Sequence, residues 1–120
     1  MLGFKAAPQK LRTLQELRLL VRQCAAQSEG IVGKKATGWR LKPMKSQWGS
    51  CNSKGIIAIN TRLMFFSERL VAYIVHHEVV HLKIHKHDRS FRALVEVLFP
   101  DRLLLDRQLH SAAKILRQKI

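Results

Sequence analysis

The chain has 120 residues, which suits one compact domain over residues 1–120, because domains usually run to ~100–150 residues. Its 22 Lys and Arg side chains outweigh 8 Asp and Glu, and the resulting formal charge of +14 favours anionic partners. The longest strictly apolar stretch, "LVAYIV" at 70–75, is far shorter than the ~20 residues of a membrane span, so no membrane partner is expected.

The first predicted element is an amphipathic helix over residues 9–27. Apolar side chains recur there at three- and four-residue steps, which places them on one face of a helix. They are Leu11, Leu14, Leu17, Leu20, Val21 and Cys24. The "SEG" at 28–30 is expected to end this helix.

The next stretch predicts strands. Side chains alternate between apolar and polar around Trp39 and Leu41, and "CNSKG" at 51–55 has the residues of a tight turn. The apolar "IIAIN" at 56–60 follows that turn. We therefore expect a small antiparallel sheet over about residues 37–63.

Three helices are predicted after the sheet. Ser67 suits an N-cap, and the apolar positions that follow it cover most of a helix circumference, so this helix should be central and buried. Asp88 can cap a helix over 89–98, and Pro100 opens a last helix that runs to about Gln118. The expected fold class is α+β, with the helices flanking the sheet.

A cluster of five histidines and one glutamate, "HHEVVHLKIHKH", occupies residues 76–87 of the central helix and its end. His77, Glu78 and His81 form the H-E-x-x-H pattern, in which two imidazoles one turn apart hold one zinc ion and the glutamate faces its bound water. Two imidazoles and a carboxylate on an otherwise apolar helix are costly to bury without partners, and a metal supplies them. We therefore expect Zn²⁺ here, rather than a polar strip that faces solvent.

A catalytic zinc usually takes three protein ligands, and three residues are candidates for the third. His87 follows His81 by six residues, a metalloprotease spacing, and lies beyond the predicted helix end, where the chain can turn back. Glu96 lies on the next helix and could offer a carboxylate. His85 follows His77 by eight residues, or ~12 Å along a continuous helix, which is too far for both to reach one ion.

Five short segments between residues 46 and 107 form a more specific pattern than H-E-x-x-H alone. They read "QWGSC", "IAINTRL", "AYIVHHEVVHLK", "HDRSF" and "LFPD". In their order and spacing the chain resembles the YgjP-like metallopeptidases, which are related to SprT-type zinc proteins. The resemblance implies a zincin-like fold, zinc ligands at His77, His81 and His87, and a general base at Glu78.

We therefore expect a zinc-dependent metallopeptidase that hydrolyses peptide bonds. Zinc would polarise the scissile carbonyl and lower the pKa of its bound water toward ~7, while Glu78 takes the proton and returns it to the leaving amine. A peptide or protein substrate would lie extended along an edge strand of the sheet. The sequence does not identify substrate-binding residues.

The alternative is a basic nucleic-acid-binding module with a structural zinc and no hydrolytic activity. Residues 1–66 hold 12 basic and 2 acidic side chains, which predicts a non-specific, salt-dependent affinity for nucleic acid through this half. Structural zinc sites are usually rich in cysteine, whereas Cys24 and Cys51 lie far from the cluster. Two cysteines without an export signal favour reduced thiols and a cytoplasmic location.

Overall fold

The computed structural model describes residues 11–119, with side chains as far as residue 114. Within that range the helices are α1 (Leu14–Val32), α2 (Glu68–His81), α3 (Arg89–Leu98) and α4 (Arg102–Lys119). The strands are β1 (Gly38–Lys42), β2 (Gly49–Cys51) and β3 (Ile56–Asn60), and a short 3₁₀ helix follows at Thr61–Phe65. The α+β fold class predicted from the sequence is confirmed.

Helix α2 lies at the centre of the fold, as predicted. The Ser67 hydroxyl accepts a hydrogen bond from the Leu70 N–H at 3.3 Å and so begins the helix. The buried apolar residues of α2 are Val71, Tyr73, Ile74, Val75, Val79 and Val80. They pack against α1, β2, β3, α3 and α4, because apolar side chains cover nearly the whole circumference of the helix.

Helix α1 begins later and ends later than predicted. Thr13 and Glu16 form a capping box at its start, whereas Leu11 precedes the helix and its side chain is exposed. Residues 9 and 10 of the prediction lie outside the described residues. The predicted stop at 28–30 is wrong, because Ser28 is buried and hydrogen-bonded within the core. The helix continues to Val32 and is capped by Gly33, whose φ of 79° suits glycine.

The sheet is mixed, so the prediction of an antiparallel sheet is wrong in part. Its order is β1-β3-β2, with β1 parallel to β3 and β2 antiparallel to β3. The chain reverses after β1 and again at the turn before Gly55, so β3 runs in the same direction as β1 and pairs beside it. In that turn the Asn52 carboxamide oxygen accepts from the N–H groups of Lys54 and Ile56. Strand β2 therefore forms one edge of the sheet, against α2.

Asn60, at the end of β3, holds the loop that leads into β2. Its side chain is buried, and its Nδ2 group donates to the carbonyl oxygens of Met44 at 3.0 Å and Gln47 at 2.8 Å. Its Oδ1 atom accepts from the Arg62 N–H at 3.0 Å. One side chain therefore fixes both the loop before β2 and the start of the 3₁₀ helix, since a buried amide needs all these partners.

The last two helices begin close to the predicted positions. The Asp88 carboxylate accepts from the Phe91 N–H at 3.0 Å and caps α3, which covers the predicted residues 89–98. Helix α4 starts at Arg102 and continues to Lys119, one residue beyond the predicted end. No helix in the described range is both long enough and apolar enough to cross a bilayer.

Candidate metal centre and active site

Three imidazole rings converge where α2 ends. His77 and His81 lie one turn apart on α2, and the chain then reverses, so that His87 points back at them from the segment before α3. The Nε2 atom of His87 lies 3.0 Å from Nε2 of His81 and 3.3 Å from Nε2 of His77. One nitrogen from each of the three rings lies within 4.8 Å of the other two, and together they could hold a metal ion.

The distances between these nitrogen atoms fit a tetrahedral zinc site. Zinc–nitrogen bonds of 2.0–2.1 Å at tetrahedral angles place two ligand nitrogens ~3.3 Å apart, close to the separations observed here. The Nδ1–H group of His81 donates to the Ile84 carbonyl oxygen at 3.1 Å, which leaves the Nε2 lone pair facing the cluster. If the three imidazoles held zinc, one coordination position would be left for water or substrate.

The surroundings of His77 and His81 favour the neutral form of imidazole, which is the form that binds metals. Burial, with the neighbouring His81, His87 and His76, lowers the pKa of His77 to about 3. Burial also lowers the pKa of His81. The Phe91 ring lies 4.6–4.9 Å from the rings of His77, His81 and His87 and forms an apolar support beneath all three. A neutral imidazole keeps a free lone pair at neutral pH, so His77 and His81 are ready to coordinate a cation.

Glu78 lies beside His77 on the side of α2 that faces the sheet. Its exposure is only 7%, and burial raises the pKa of its carboxyl group to about 7. A Cβ atom at Gly49 would lie 3.0 Å from Cγ and 3.2 Å from Oε2 of Glu78. Glycine at the start of β2 therefore lets the edge strand approach this carboxylate, and a larger residue would displace it.

The other histidines and the alternative third ligand lie elsewhere. Glu96 is paired with Arg102 at 2.7 Å, and His85 is exposed and outside the cluster. His76 is fully buried and lies between the Ser28 hydroxyl, at 2.9 Å, and the Leu94 carbonyl oxygen, at 3.1 Å, where it joins three helices. Of the three candidates for a third ligand, His87 is the one that the structure brings to the H-E-x-x-H pair.

A cleft of about 250 Å³ opens beside His77 and Glu78, and part of its lining carries no sequence motif. One wall is the start of β2 with the preceding Gln47 and Trp48, and the other belongs to α4. The Tyr73 hydroxyl donates to an Asp106 carboxylate oxygen at 2.5 Å and ties α4 to α2. Burial and this hydrogen bond raise the pKa of Tyr73. Asp106 could not be predicted, because its partner is 33 residues away in the sequence.

Comparison with known families identifies the domain. Residues 7–112 match the family model described as YgjP-like, metallopeptidase domain. The chain belongs to this family. Membership confirms the resemblance drawn from the five sequence segments, and it implies a metal-dependent peptidase.

Two crystal structures of metallopeptidase zymogens share the fold of this YgjP-like domain. Abylysin from Pyrococcus abyssi is 23% identical, with a TM-score of 0.69 over 77% of this chain and 93% of that chain. Jannalysin from Methanocaldococcus jannaschii is also 23% identical, with a TM-score of 0.61 over 87% of this chain and 97% of that chain. Among curated protein sequences none matches significantly. The architecture around α2 is thus shared with known metallopeptidases.

Proposed function

We propose that this chain is a zinc-dependent metallopeptidase in which His77, His81 and His87 hold the metal and Glu78 is the general base. The observation that carries the proposal is the convergence of three imidazole nitrogens beside a buried carboxylate at the edge of the sheet. Family membership supports metal-dependent peptide hydrolysis. The assignment of these four residues rests on their geometry.

The bound ion would supply Lewis acidity toward the scissile carbonyl and lower the pKa of water at its open position toward ~7. The chain itself supplies the proton transfers. Glu78 accepts a proton from the attacking water and later gives it to the leaving nitrogen, and both steps need a carboxyl pKa near the working pH. Burial of Glu78 raises its pKa in that direction. The Phe91 ring and the Tyr73–Asp106 pair hold the surrounding walls in place.

The substrate is expected to lie along β2. Among residues 11–119 this strand pairs only with β3, and its other edge lies next to the cleft. An extended peptide can add to such an edge through main-chain hydrogen bonds, which give affinity with little sequence preference. The close approach of Gly49 to Glu78 would bring the peptide backbone to the general base.

The proposed setting is the cytoplasm. Cys24 and Cys51 are both free thiols. Burial raises the pKa of Cys24 to about 11 and also raises that of Cys51, so neither is activated as a thiolate nucleophile. Two unpaired thiols suit a reducing compartment.

Metal removal tests the proposal as a whole. We expect the zinc-reconstituted protein to cleave members of a broad peptide mixture, a chelator to abolish cleavage, and added zinc to restore it. Mass spectrometry of the products and elemental analysis of the protein provide the two measurements. If the protein carries one zinc per chain and still leaves all the peptides intact, the peptidase assignment is wrong.

The third ligand has its own test. His87→Ala is expected to weaken zinc affinity by more than ~100-fold. Losing a residue that only orients a metal ligand already costs up to ~100-fold, and losing a ligand itself should cost more. His85→Ala and Glu96→Gln are matched controls outside the cluster, and both should keep zinc affinity near that of the parent. Competition with a chromogenic chelator measures all three. A larger loss for Glu96→Gln than for His87→Ala would move the third ligand to α3.

A further inference from the structure

The sheet and its loops carry positive charge with no acidic side chain. Residues 30–66 contain seven Lys and Arg residues and neither Asp nor Glu. The seven are Lys34, Lys35, Arg40, Lys42, Lys45, Lys54 and Arg62. All three strands lie in this stretch, so the edge along which we expect the substrate to bind is part of a strongly cationic surface.

Two of these cations line a pocket that adjoins the catalytic cleft. The pocket measures about 130 Å³, and Lys45 and Arg62 contribute to its lining together with Ser46. It shares Gln47 and Trp48 with the cleft that contains His77 and Glu78. The two spaces are therefore neighbours, and we expect a peptide bound in the cleft to place a side chain in this pocket within a few residues of the bond that is cleaved.

The pocket is held together from inside the fold. Asn60 donates to the carbonyl oxygens of Met44 and Gln47, on either side of Lys45, and accepts from the Arg62 N–H. One buried side chain thus fixes the backbone that carries both cations. Trp48 packs on Phe66 with ring centroids 5.0 Å apart, which holds the wall between pocket and cleft.

Both cations are available to a ligand. Among residues 11–114 no ion pair involves Lys45 or Arg62, whereas Arg69 and Arg102 are paired with carboxylates. Arg62 is half-buried, so a carboxylate bound there is less screened by salt than one on an open surface. A guanidinium group can hold a carboxylate through two parallel hydrogen bonds, and the ammonium group adds a second point charge.

We propose that Lys45 and Arg62 form a substrate subsite that selects an Asp or Glu side chain near the scissile bond. The proposal rests on the peptidase function and adds a preference for acidic substrates. A pocket of this size takes one carboxylate side chain, and the residues it shares with the cleft place that side chain close to the peptide being cleaved. Binding of a nucleic acid would instead use cations spread over the whole surface, such as Lys34 and Lys35.

The subsite can be tested with two peptides of equal length, one acidic and one neutral. They differ only in the charge of the residues near one cleavage site. We expect the parent to cleave the acidic peptide with a kcat/KM about 10-fold above that of the neutral one, as two partly screened charge pairs allow. Lys45→Gln/Arg62→Gln should remove this ratio, and Lys45→Glu/Arg62→Glu should reverse it in favour of basic peptides. If a double variant does not fold, the single variant Lys45→Gln replaces it in this test, because Lys45 is exposed. It should lower the ratio.

A charge-matched control removes two cations away from the pocket. Lys34→Gln/Lys35→Gln should keep the preference for the acidic peptide, because neither residue lines the pocket. If this control lowers the ratio as much as the pocket variant does, the effect comes from net charge and the subsite is wrong. A parent that cleaves peptides regardless of their charge would also reject the subsite while leaving the peptidase function standing.

Binding measured without hydrolysis separates the two proposals. In the Glu78→Gln background, fluorescence anisotropy should show that the acidic peptide binds about 10-fold more tightly than the neutral one, and that Lys45→Gln/Arg62→Gln removes the difference. If the parent cleaves no peptide but the Glu78→Gln protein still shows this difference, the pocket binds acidic peptides and the proposed peptidase function is rejected. A DNA oligonucleotide can also be tested as a competitor of the acidic peptide. If it displaces the peptide, and if its binding depends equally on Lys34, Lys35 and the pocket, the subsite is wrong and the surface binds polyanions in general.

Discussion

Glu78→Gln is expected to lower kcat by roughly 10²–10⁴-fold, the usual effect of losing one positioned general base. The amide keeps the size of the carboxylate, so it fits against Gly49, but it cannot take a proton from the attacking water. We expect zinc content and fold to stay at parent level, because Glu78 is proposed as a base and His77, His81 and His87 as the ligands. Steady-state kinetics and elemental analysis measure the two properties separately.

The matched control for this variant is Glu96→Gln. It makes the same chemical change at an exposed carboxylate on α3 that is paired with Arg102, and an exposed ion pair contributes little to stability. Activity close to that of the parent is expected. If Glu78→Gln cleaves peptides as fast as the parent does, the proton passes through another group and the mechanism proposed here is wrong. If it loses zinc as well, Glu78 belongs to the metal site.

His81→Ala is expected to abolish the stabilisation that zinc gives to the fold. A ligand that binds only the folded state, at a concentration ~100-fold above its dissociation constant, adds about 2.7 kcal/mol to the free energy of unfolding. The parent should therefore unfold at a higher temperature with zinc than without it, and His81→Ala should show no such difference. Thermal unfolding followed by circular dichroism, with and without zinc, measures this effect.

His110→Ala controls for the loss of a histidine. His110 is exposed on α4 and lies outside the three-imidazole cluster, so this variant should keep the zinc-dependent shift. Zinc stabilisation that survives His81→Ala would mean that the ion binds elsewhere. Equal losses in the two variants would mean that the shift reports nonspecific binding of zinc to histidine.

The sequence by itself determined the elements that depend on residues a few positions apart. The placement of His77 and His81 on one face of an apolar helix could be predicted, because one helical turn brings residues i and i+4 to the same face. The caps at Ser67 and Asp88 were readable for a similar reason, since an N-cap side chain bonds to a backbone group two or three residues away. Neither feature depends on the rest of the chain.

The tertiary structure decided which of several locally acceptable arrangements is adopted. Helix α1 passes through Ser28 and Gly30 because a hydrogen bond joins Ser28 to His76, 48 residues further along, in the core. The parallel pairing of β1 with β3 likewise depends on two chain reversals and on the packing of β2 against α2. Local turn signals could not indicate which strands would become neighbours.

The candidate site also has features that the sequence left open and that only the tertiary structure shows. Three residues were open as the third ligand from the sequence, and the reversal of the chain after α2 brings His87 to His77 and His81 while Glu96 pairs with Arg102. The Tyr73–Asp106 pair and the pocket of Lys45 and Arg62 join residues from separate elements. Such contacts depend on how helices and strands pack, because residues far apart in the chain meet only when a shared apolar core brings their elements together.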